Sequence, residues 1–266
     1  MPIAKLADVD LYYEVEGETG PWLIFAHGGG DVCLTWWRQV GALKDRYRCL
    51  VYDARFHGRS SAGTTPAESD QVGWQDLLGL MDYLKIDRAL LNGHSMGGGA
   101  VSGVALNHPE RVSALVMTNC VFGFSTPALS KWAAEMIDKV PKGFNVMTVT
   151  YAEGFEARDP AAFVLHQSLK RLNPPRPAPR DSKAYLAAYE RMRDRPAEDY
   201  SGFAVPILFV LGEEDRLQVP WLVEATAKLV HGARLERIAG SGHSPHVERP
   251  EVYTPLLAAF LERHSA

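Results

Sequence analysis

Short apolar runs punctuate the first half of the chain at Trp22–Ala26, Cys49–Tyr52, Ala89–Leu91 and Val112–Met117. Each is followed within two residues by glycine, asparagine or aspartate, and then by a stretch of helical character. Asp76–Leu84 and Met96–Asn107 show that second pattern most clearly. Strands of this length alternating with helices imply right-handed crossovers and a parallel sheet covered by helices on both faces. The opening Val9–Glu16, rich in aromatic and β-branched residues, reads instead as part of an antiparallel edge hairpin.

The rhythm breaks after about Phe122. From there to about Phe203 the chain reads as helical, with helix candidates at Ser130–Ile137 and Ser182–Arg195. Between these lies the proline-rich stretch 173–180. Proline removes a backbone donor and disfavours helix in the residue before it, so this stretch cannot be helix interior. An extended connector accounts for it better than a proline-rich ligand for a partner. Strand rhythm resumes at Pro206–Leu211, followed by a helix at Trp221–Val230, a strand at Arg234–Ile238 and a closing helix at Pro250–Arg263. The reading is one α/β core, residues 1–121 and 204–266, split by a helical insertion at 122–203.

Chemistry concentrates in the turns that follow strands. Gly93-His94-Ser95-Met96-Gly97 has the form G-x-S-x-G and lies between an apolar run and a helix. A nucleophilic serine needs such a sharp strand-to-helix turn to expose its hydroxyl, and flanking glycines leave room for the strained backbone. The helix start behind it favours developing negative charge. His27-Gly28-Gly29-Gly30 follows the strand Trp22–Ala26 directly. Such a loop supplies a backbone N–H to an oxyanion hole, with Gly29 the best donor and Gly28 its nearest rival. The second N–H belongs to Met96, the residue after the serine. His27 itself reads as a structural residue that holds the loop.

Two later loops carry the partners. Leu211-Gly212-Glu213-Glu214-Asp215 offers three adjacent carboxylates after a strand, of which Asp215 fits best and Glu214 is the alternative. Gly240-Ser241-Gly242-His243-Ser244-Pro245-His246 follows the last strand, and a glycine-rich loop there can bring His243 back over the nucleophile. His246 reads as a packing or surface residue. Imidazole titrates close to neutral pH, so His243 can take the serine proton and return it to a leaving group.

Composition narrows the field rather than shaping it. The 266 residues carry a formal net charge of -4, which gives no long-range attraction for nucleic acid or an anionic membrane. No apolar stretch approaches the ~18 residues of a membrane span, and Met1–Lys5 lacks the basic-then-apolar run of a secretory signal. Cys33, Cys49 and Cys120 are too scattered for a disulfide framework or a zinc site, so reduced thiols and a cytoplasmic location are expected.

HGGG at 27–30, GHSMGG at 93–98, GEED at 212–215 and GHSPHVERPE at 242–251 together resemble the α/β-hydrolase superfamily over essentially the whole chain. The resemblance implies a mostly parallel eight-stranded sheet, the chain order Ser95, Asp215, His243, and an insertion acting as a lid. Asp53-Ala54-Arg55-Phe56-His57-Gly58-Arg59-Ser60 resembles a structural loop of the family, D-x-R-G-x-G-x-S, with Phe56 where glycine is usual. Asp53 and His57 are therefore not read as catalytic. Serine at the elbow excludes the haloalkane dehalogenases and epoxide hydrolases, which the resemblance says use aspartate there.

Within the superfamily the chain is similar to small carboxylesterases and enol-lactonases. It is less similar to the carbon–carbon bond hydrolases of ring-fission products, which usually carry tryptophan where Ser244 stands. The expected activity is cleavage of a small-molecule ester or lactone without metal or cofactor, by a monomer or homodimer. A ligand-responsive receptor built on the same fold is the second class of reading. Trp36, Trp37, Phe122 and Trp132 are the expected pocket residues. Phe124, Phe144, Tyr151, Phe155 and Phe163 are further aromatics of the insertion, most of them expected to pack it onto the core.

Overall fold

The computed structural model describes residues 2–64, 72–121, 123–124, 131, 135, 150–174, 200 and 202–265. The eight strands are β1 (Ile3–Lys5), β2 (Asp10–Glu16), β3 (Trp22–Ala26), β4 (Arg48–Tyr52), β5 (Ala89–His94), β6 (Val112–Thr118), β7 (Ile207–Gly212) and β8 (Arg234–Ile238). They form one sheet in the order β1-β2-β4-β3-β5-β6-β7-β8. β1 and β2 pair antiparallel, as do β2 and β4, which makes the opening an edge hairpin as expected. Every other pairing is parallel.

Among the described residues the helices include α1 (Trp37–Leu43), α2 (Val72–Tyr83), α3 (Met96–Asn107), α4 (Phe155–Arg158), α5 (Pro160–Lys170), α6 (Pro220–Ala227), α7 (Pro245–Glu248) and α8 (Pro250–Glu262), with 3₁₀ turns at Cys33–Trp36 and Pro109–Arg111. Side chains alternate across a strand, so the continuous apolar runs feed two cores at once. Ile24, Leu50, Leu91, Leu115 and Phe209 face α2, α3 and α6. Leu23, Phe25, Val51, Leu90 and Val116 face Trp36, Leu43 and the α8 residues Tyr253, Leu257 and Phe260. Fully burying one such side chain stabilises the fold by about 1.5–3 kcal/mol.

Strand order positions the site. The chain runs from β3 outward to β4 and then crosses back to β5 on the other side of β3. Strand order therefore reverses between β3 and β5, and in an open α/β sheet the crevice beyond the strand ends at such a point is where ligands bind. Ala26 pairs with Gly93 across that junction, which sets His27–Gly30 beside the turn at Ser95.

Most expected elements match within a few residues. Helix α6 is shorter than expected, beginning at Pro220 and ending at Ala227. The helix α5 was not singled out in the sequence, although Asp159 and Pro160 open it in a recognisable way: Asp159 Oδ1 accepts the Ala162 N–H at 2.9 Å, and proline stands in the first turn. Apart from Lys131, Glu135, Asn173 and Pro174, the helix candidates Ser130–Ile137 and Ser182–Arg195 and the connector 173–180 lie outside the described residues.

Candidate active site

Ser95 sits between β5 and α3 with φ 48° and ψ -119°, a conformation outside the usual regions for a side-chain-bearing residue. Holding it costs on the order of 1–3 kcal/mol, which the surrounding structure must supply. The Ser95 N–H donates to Thr118 O at 3.1 Å, and the Gly98 N–H donates to Ser95 O at 2.9 Å. A Cβ at Gly93 would lie 2.6 Å from Gly97 O, and one at Gly97 would lie 2.3 Å from Ala26 O, so the tight turn needs both glycines. Ser95 is half-buried, and Met96 opens α3, where first-turn N–H groups have no partner within the helix.

Asp215 and His243 meet in a buried pair. The His243 Nδ1–H donates to Asp215 Oδ2 at 2.8 Å. Because a carboxylate only accepts, this contact places the neutral ring's proton on Nδ1 and leaves Nε2 with a lone pair. The other oxygen, Oδ1, accepts from the N–H groups of Leu217 at 2.7 Å and Gln218 at 3.0 Å, which orients the carboxylate. Glu213 and Glu214 are exposed, and Glu214 Oε2 accepts the Glu153 N–H instead. Of the three adjacent acids, only Asp215 turns inward to the imidazole.

The loop carrying His243 is tied to the turn at Ser95 through His94. The His94 Nε2–H donates to His243 O at 2.7 Å, and the two rings lie 4.9 Å apart between centroids. Three further residues shape this edge, none singled out in the sequence. Asn119, at φ 42°, donates from Nδ2 to Gly242 O and accepts the Gly212 N–H on Oδ1, both at 2.8 Å, so it joins the end of β7 to the loop carrying His243. Glu248 accepts from the N–H groups of Ala152, Gly242 and Ser244 at 2.8, 3.0 and 3.0 Å. Burial pushes its carboxyl above the usual range, against the lowering effect of those three donors. Thr150 O accepts the His243 N–H at 2.8 Å.

The HGGG turn is braced from three sides. The His27 Nδ1–H donates to Gly28 O at 2.8 Å while its Nε2 accepts the Ala54 N–H at 2.9 Å, so His27 holds the loop as expected. Asp53 Oδ1 accepts the Cys33 N–H at 2.7 Å, and the His57 ring nitrogens face Arg55 O and Gly29 O at 2.8 and 3.1 Å. Both residues support the turn. On the third side, Asp31 Oδ1 accepts from His166 Nε2 on α5 at 2.9 Å, with Lys170 Nζ at 3.9 Å. Burial alone would raise the Asp31 carboxyl, but His166 and Lys170 outweigh it and hold the group well below the usual carboxylate range.

The aromatic expectations divide. Trp36, expected in the pocket, is fully buried and stacks on His246 with ring centroids 4.2 Å apart, which makes both packing residues. Trp37 is half-buried and packs with Tyr151, Phe155, Phe163 and Val247, joining the described part of the insertion to the core. Phe124 is buried against Tyr200, Phe203 and Phe209. Phe122, Trp132 and Phe144 lie outside the described residues. Among the described residues no cluster of His, Cys, Asp and Glu is arranged to hold a metal ion, and no helix is long and apolar enough to cross a membrane.

A mostly parallel eight-stranded sheet, a strained serine turn at its reversal point and a buried carboxylate–imidazole pair beside it are the features of an α/β-hydrolase. A model of the alpha/beta hydrolase family matches residues 23–255, and the chain belongs to that family. It is 24% identical over 261 residues to 3-oxoadipate enol-lactonase 2 of Acinetobacter baylyi, covering 96% of this chain and 94% of the relative. The crystal structure of the enol-lactonase from Burkholderia xenovorans superposes with a TM-score of 0.77 at 26% identity, covering 98% of this chain and 100% of that one. A thermophilic esterase from Thermogutta terrifontis gives a TM-score of 0.79 at 22% identity over 100% of both chains, a likeness of fold.

Proposed function

We propose that the protein hydrolyses a carboxylic ester or lactone through an acyl-enzyme, with Ser95 as nucleophile, His243 as general base and Asp215 as the acid that orients the base. The observation that carries this reading is the buried 2.8 Å contact between His243 and Asp215, in a loop joined by His94 to the strained turn at Ser95. His243 Nε2 takes the proton of Ser95, and the serine oxygen attacks the carbonyl carbon. The tetrahedral oxyanion rests on the N–H groups of Gly29 and Met96, with Gly28 the alternative to Gly29; each donor is worth about 10²–10³ in rate. His243 then protonates the leaving alcohol, and water attacks the acyl-enzyme with the same base. In a lactone the alcohol stays attached to the acyl group. The similarity to two enol-lactonases supports placing lactones beside simple esters.

The insertion at 122–203 is proposed as a lid that sets substrate size. Its described part supports this, since α4 and α5 pack through Phe155, Ala162 and Phe163 against Trp37 and Val247, next to the oxyanion turn and the base loop. Shortening the proline stretch 173–180 then changes KM and chain-length preference across an ester series. Labelling by a small fluorophosphonate stays nearly constant.

The test of function is a panel of p-nitrophenyl esters, simple lactones and one ring-fission dienoate. Repeated turnover on an ester or lactone supports the reading; a single slow acylation indicates a ligand-binding protein on the hydrolase fold. Ser95→Ala is expected to lower turnover by about 10⁶, and a fluorophosphonate labels the wild type at Ser95 only. Labelling that persists in Ser95→Ala would place the nucleophile elsewhere.

A further inference from the structure

Helix α5 turns an uncommon set of side chains inward. Ala162, Phe163, His166 and Lys170 recur at three- and four-residue spacing, which places them on one face. Ala162 and Phe163 pack against Trp37 and Val247. In the same row stands His166, fully buried, where an apolar residue would serve packing better. Both of its ring nitrogens are engaged. Nε2–H donates to Asp31 Oδ1 at 2.9 Å, and Nδ1 accepts from the Tyr151 hydroxyl at 2.9 Å. A carboxylate cannot donate and a tyrosine hydroxyl can, so the neutral ring satisfies both contacts in one tautomer. Burial lowers the basicity of His166, which favours that neutral form.

Asp31 follows the glycines of the oxyanion turn directly, and its N–H donates to Gly28 O at 3.0 Å. Its carboxylate faces two parts of the site. Oδ1 meets His166 and Lys170 on α5, and Oδ2 lies 3.6 Å from His94 Nδ1 in the elbow. Gly28 packs against both, because a Cβ there would lie 2.7 Å from His94 Nδ1 and 3.0 Å from Asp31 Oδ2. Asn173, just beyond α5, adds a second tie by donating from Nδ2 to Gly30 O at 2.9 Å. The turn that would hold the oxyanion is therefore anchored to the inserted helix by side chains, not by the sheet alone.

We propose that Asp31, through its hydrogen bond to His166, is a positioning residue for the oxyanion turn, so that helix α5 governs the rate of the chemical step as well as covering the site. This rests on the hydrolytic reading above, in which the turn at 28–29 stabilises the transition state. A misplacement of about 1 Å in such donors costs on the order of 10² in rate, and an interaction made only in the transition state shows in kcat, not in KM.

The experiment compares His166→Leu, which removes the donor, with His166→Gln, whose amide N–H can still reach Asp31. Esters of short and long chain and an aryl boronic acid, which forms a tetrahedral adduct on the serine, provide the readouts. The expected result for His166→Leu is a kcat loss of roughly ten- to a hundredfold, of equal size for every chain length, with KM within about twofold. Boronic acid affinity falls in parallel, and His166→Gln recovers most of both losses. Equal losses in the two variants would make His166 a packing residue only and overturn the proposal, as would a change confined to KM and chain-length preference. If His166→Leu does not fold, Tyr151→Phe frees the ring at Nδ1 and is expected to lower kcat a few-fold at constant KM; an unchanged kcat overturns the proposal. A wild type that resists a fluorophosphonate at Ser95 would instead remove the hydrolytic reading itself.

Discussion

The loop carrying His243 is held through its backbone groups, which converge on the side chains of Glu248, Asn119 and His94, whereas the turn at 28–31 is braced by His27 and His57 from the core and by side chains on and just beyond α5. Glu248 gathers the N–H groups of Gly242 and Ser244 from four to six residues away, and Asn119 fastens Gly242 O to the end of β7. At 28–31 His27 and His57 are joined by ties from His166, Lys170 and Asn173, which lie 135 to 143 residues along the chain from the groups they hold. One edge is set by backbone groups gathered near the strand ends, from Thr150 and Ala152 as well as from the loop itself. The other depends in addition on the docking of α5, and the two edges should fail in different ways.

The largest effect expected from breaking one edge alone comes from the acid. Asp215→Asn should lower turnover by about 10⁴, the loss seen when the orienting acid of a serine protease is replaced, because the ring then loses the acceptor that fixes its tautomer. Glu214→Gln and Glu213→Gln should each stay within about tenfold of wild type, a barrier change near 1.4 kcal/mol. Both are exposed, and neither touches the ring. Measured kcat values for the three variants decide the matter, and a crippled Glu214→Gln would sink the choice of acid.

The same contrast explains what could be read from the chain. The elbow, the GEED turn and the glycine-rich loop with His243 each follow a strand within a few residues, so composition and order sufficed to find them. Phe56 stood out against the family loop, and it does adopt a left-handed φ of 63°. The bond between Asp31 and His166 left no such trace. It spans 135 residues, and within α5 the histidine occupies a position that periodicity marks only as inward. Asn119 and Glu248 were hidden for a different reason: their partners are backbone groups, whose identity no side-chain pattern records. Trp36 was misleading because an aromatic next to the oxyanion turn faces the α8 core as readily as a pocket.

Acidification separates the buried histidines from Glu248 by sign. Burial lowers the basicity of His27, His94, His166 and His246, so each stays neutral in the fold at pH values where the unfolded chain has taken up a proton. Such groups contribute stability that is present above pH 6.5 and lost below it, at up to about 1.4 kcal/mol per pH unit each. Asp31, held low, adds a further loss only below the usual carboxylate range. Glu248 has the opposite sign, because its raised value costs stability as pH climbs above the usual glutamate range. Unfolding free energy measured in urea should therefore fall steeply between pH 6.5 and 5.5, with net proton uptake on unfolding. His166→Gln should reduce that slope; a slope unchanged by the substitution would mean His166 titrates alike in both states.

Glu248→Ala tests the base edge through stability. Three buried N–H groups would lose their acceptor, each worth about 1–3 kcal/mol when left unpaired, while the cost of burying a carboxylate disappears. A net destabilisation of about 3 kcal/mol is expected by urea titration, together with a lower kcat as the loop carrying His243 loosens. A change under about 1 kcal/mol would show that water replaces the carboxylate readily and that the clamp is not what holds the loop.

The smallest effect is expected at Phe56, and it asks whether the loop beneath the oxyanion turn acts through its shape or through its anchors. Asp53 and His57 reach the turn from this loop, while Phe56 contributes a half-buried ring and an N–H that donates to Ser61 O at 3.2 Å. A left-handed backbone costs a side-chain-bearing residue about 1–2 kcal/mol, which glycine would relieve. Glycine also gives the unfolded chain more freedom, worth about 0.5–1 kcal/mol, and forfeits the partial burial of the ring. These terms nearly cancel, so Phe56→Gly should alter stability by less than about 1 kcal/mol and leave kcat within twofold. Thermal unfolding and ester turnover measured side by side provide the check. A large fall in kcat at unchanged stability would show that the backbone path of this loop sets the position of Gly29, with the Asp53 and His57 contacts secondary.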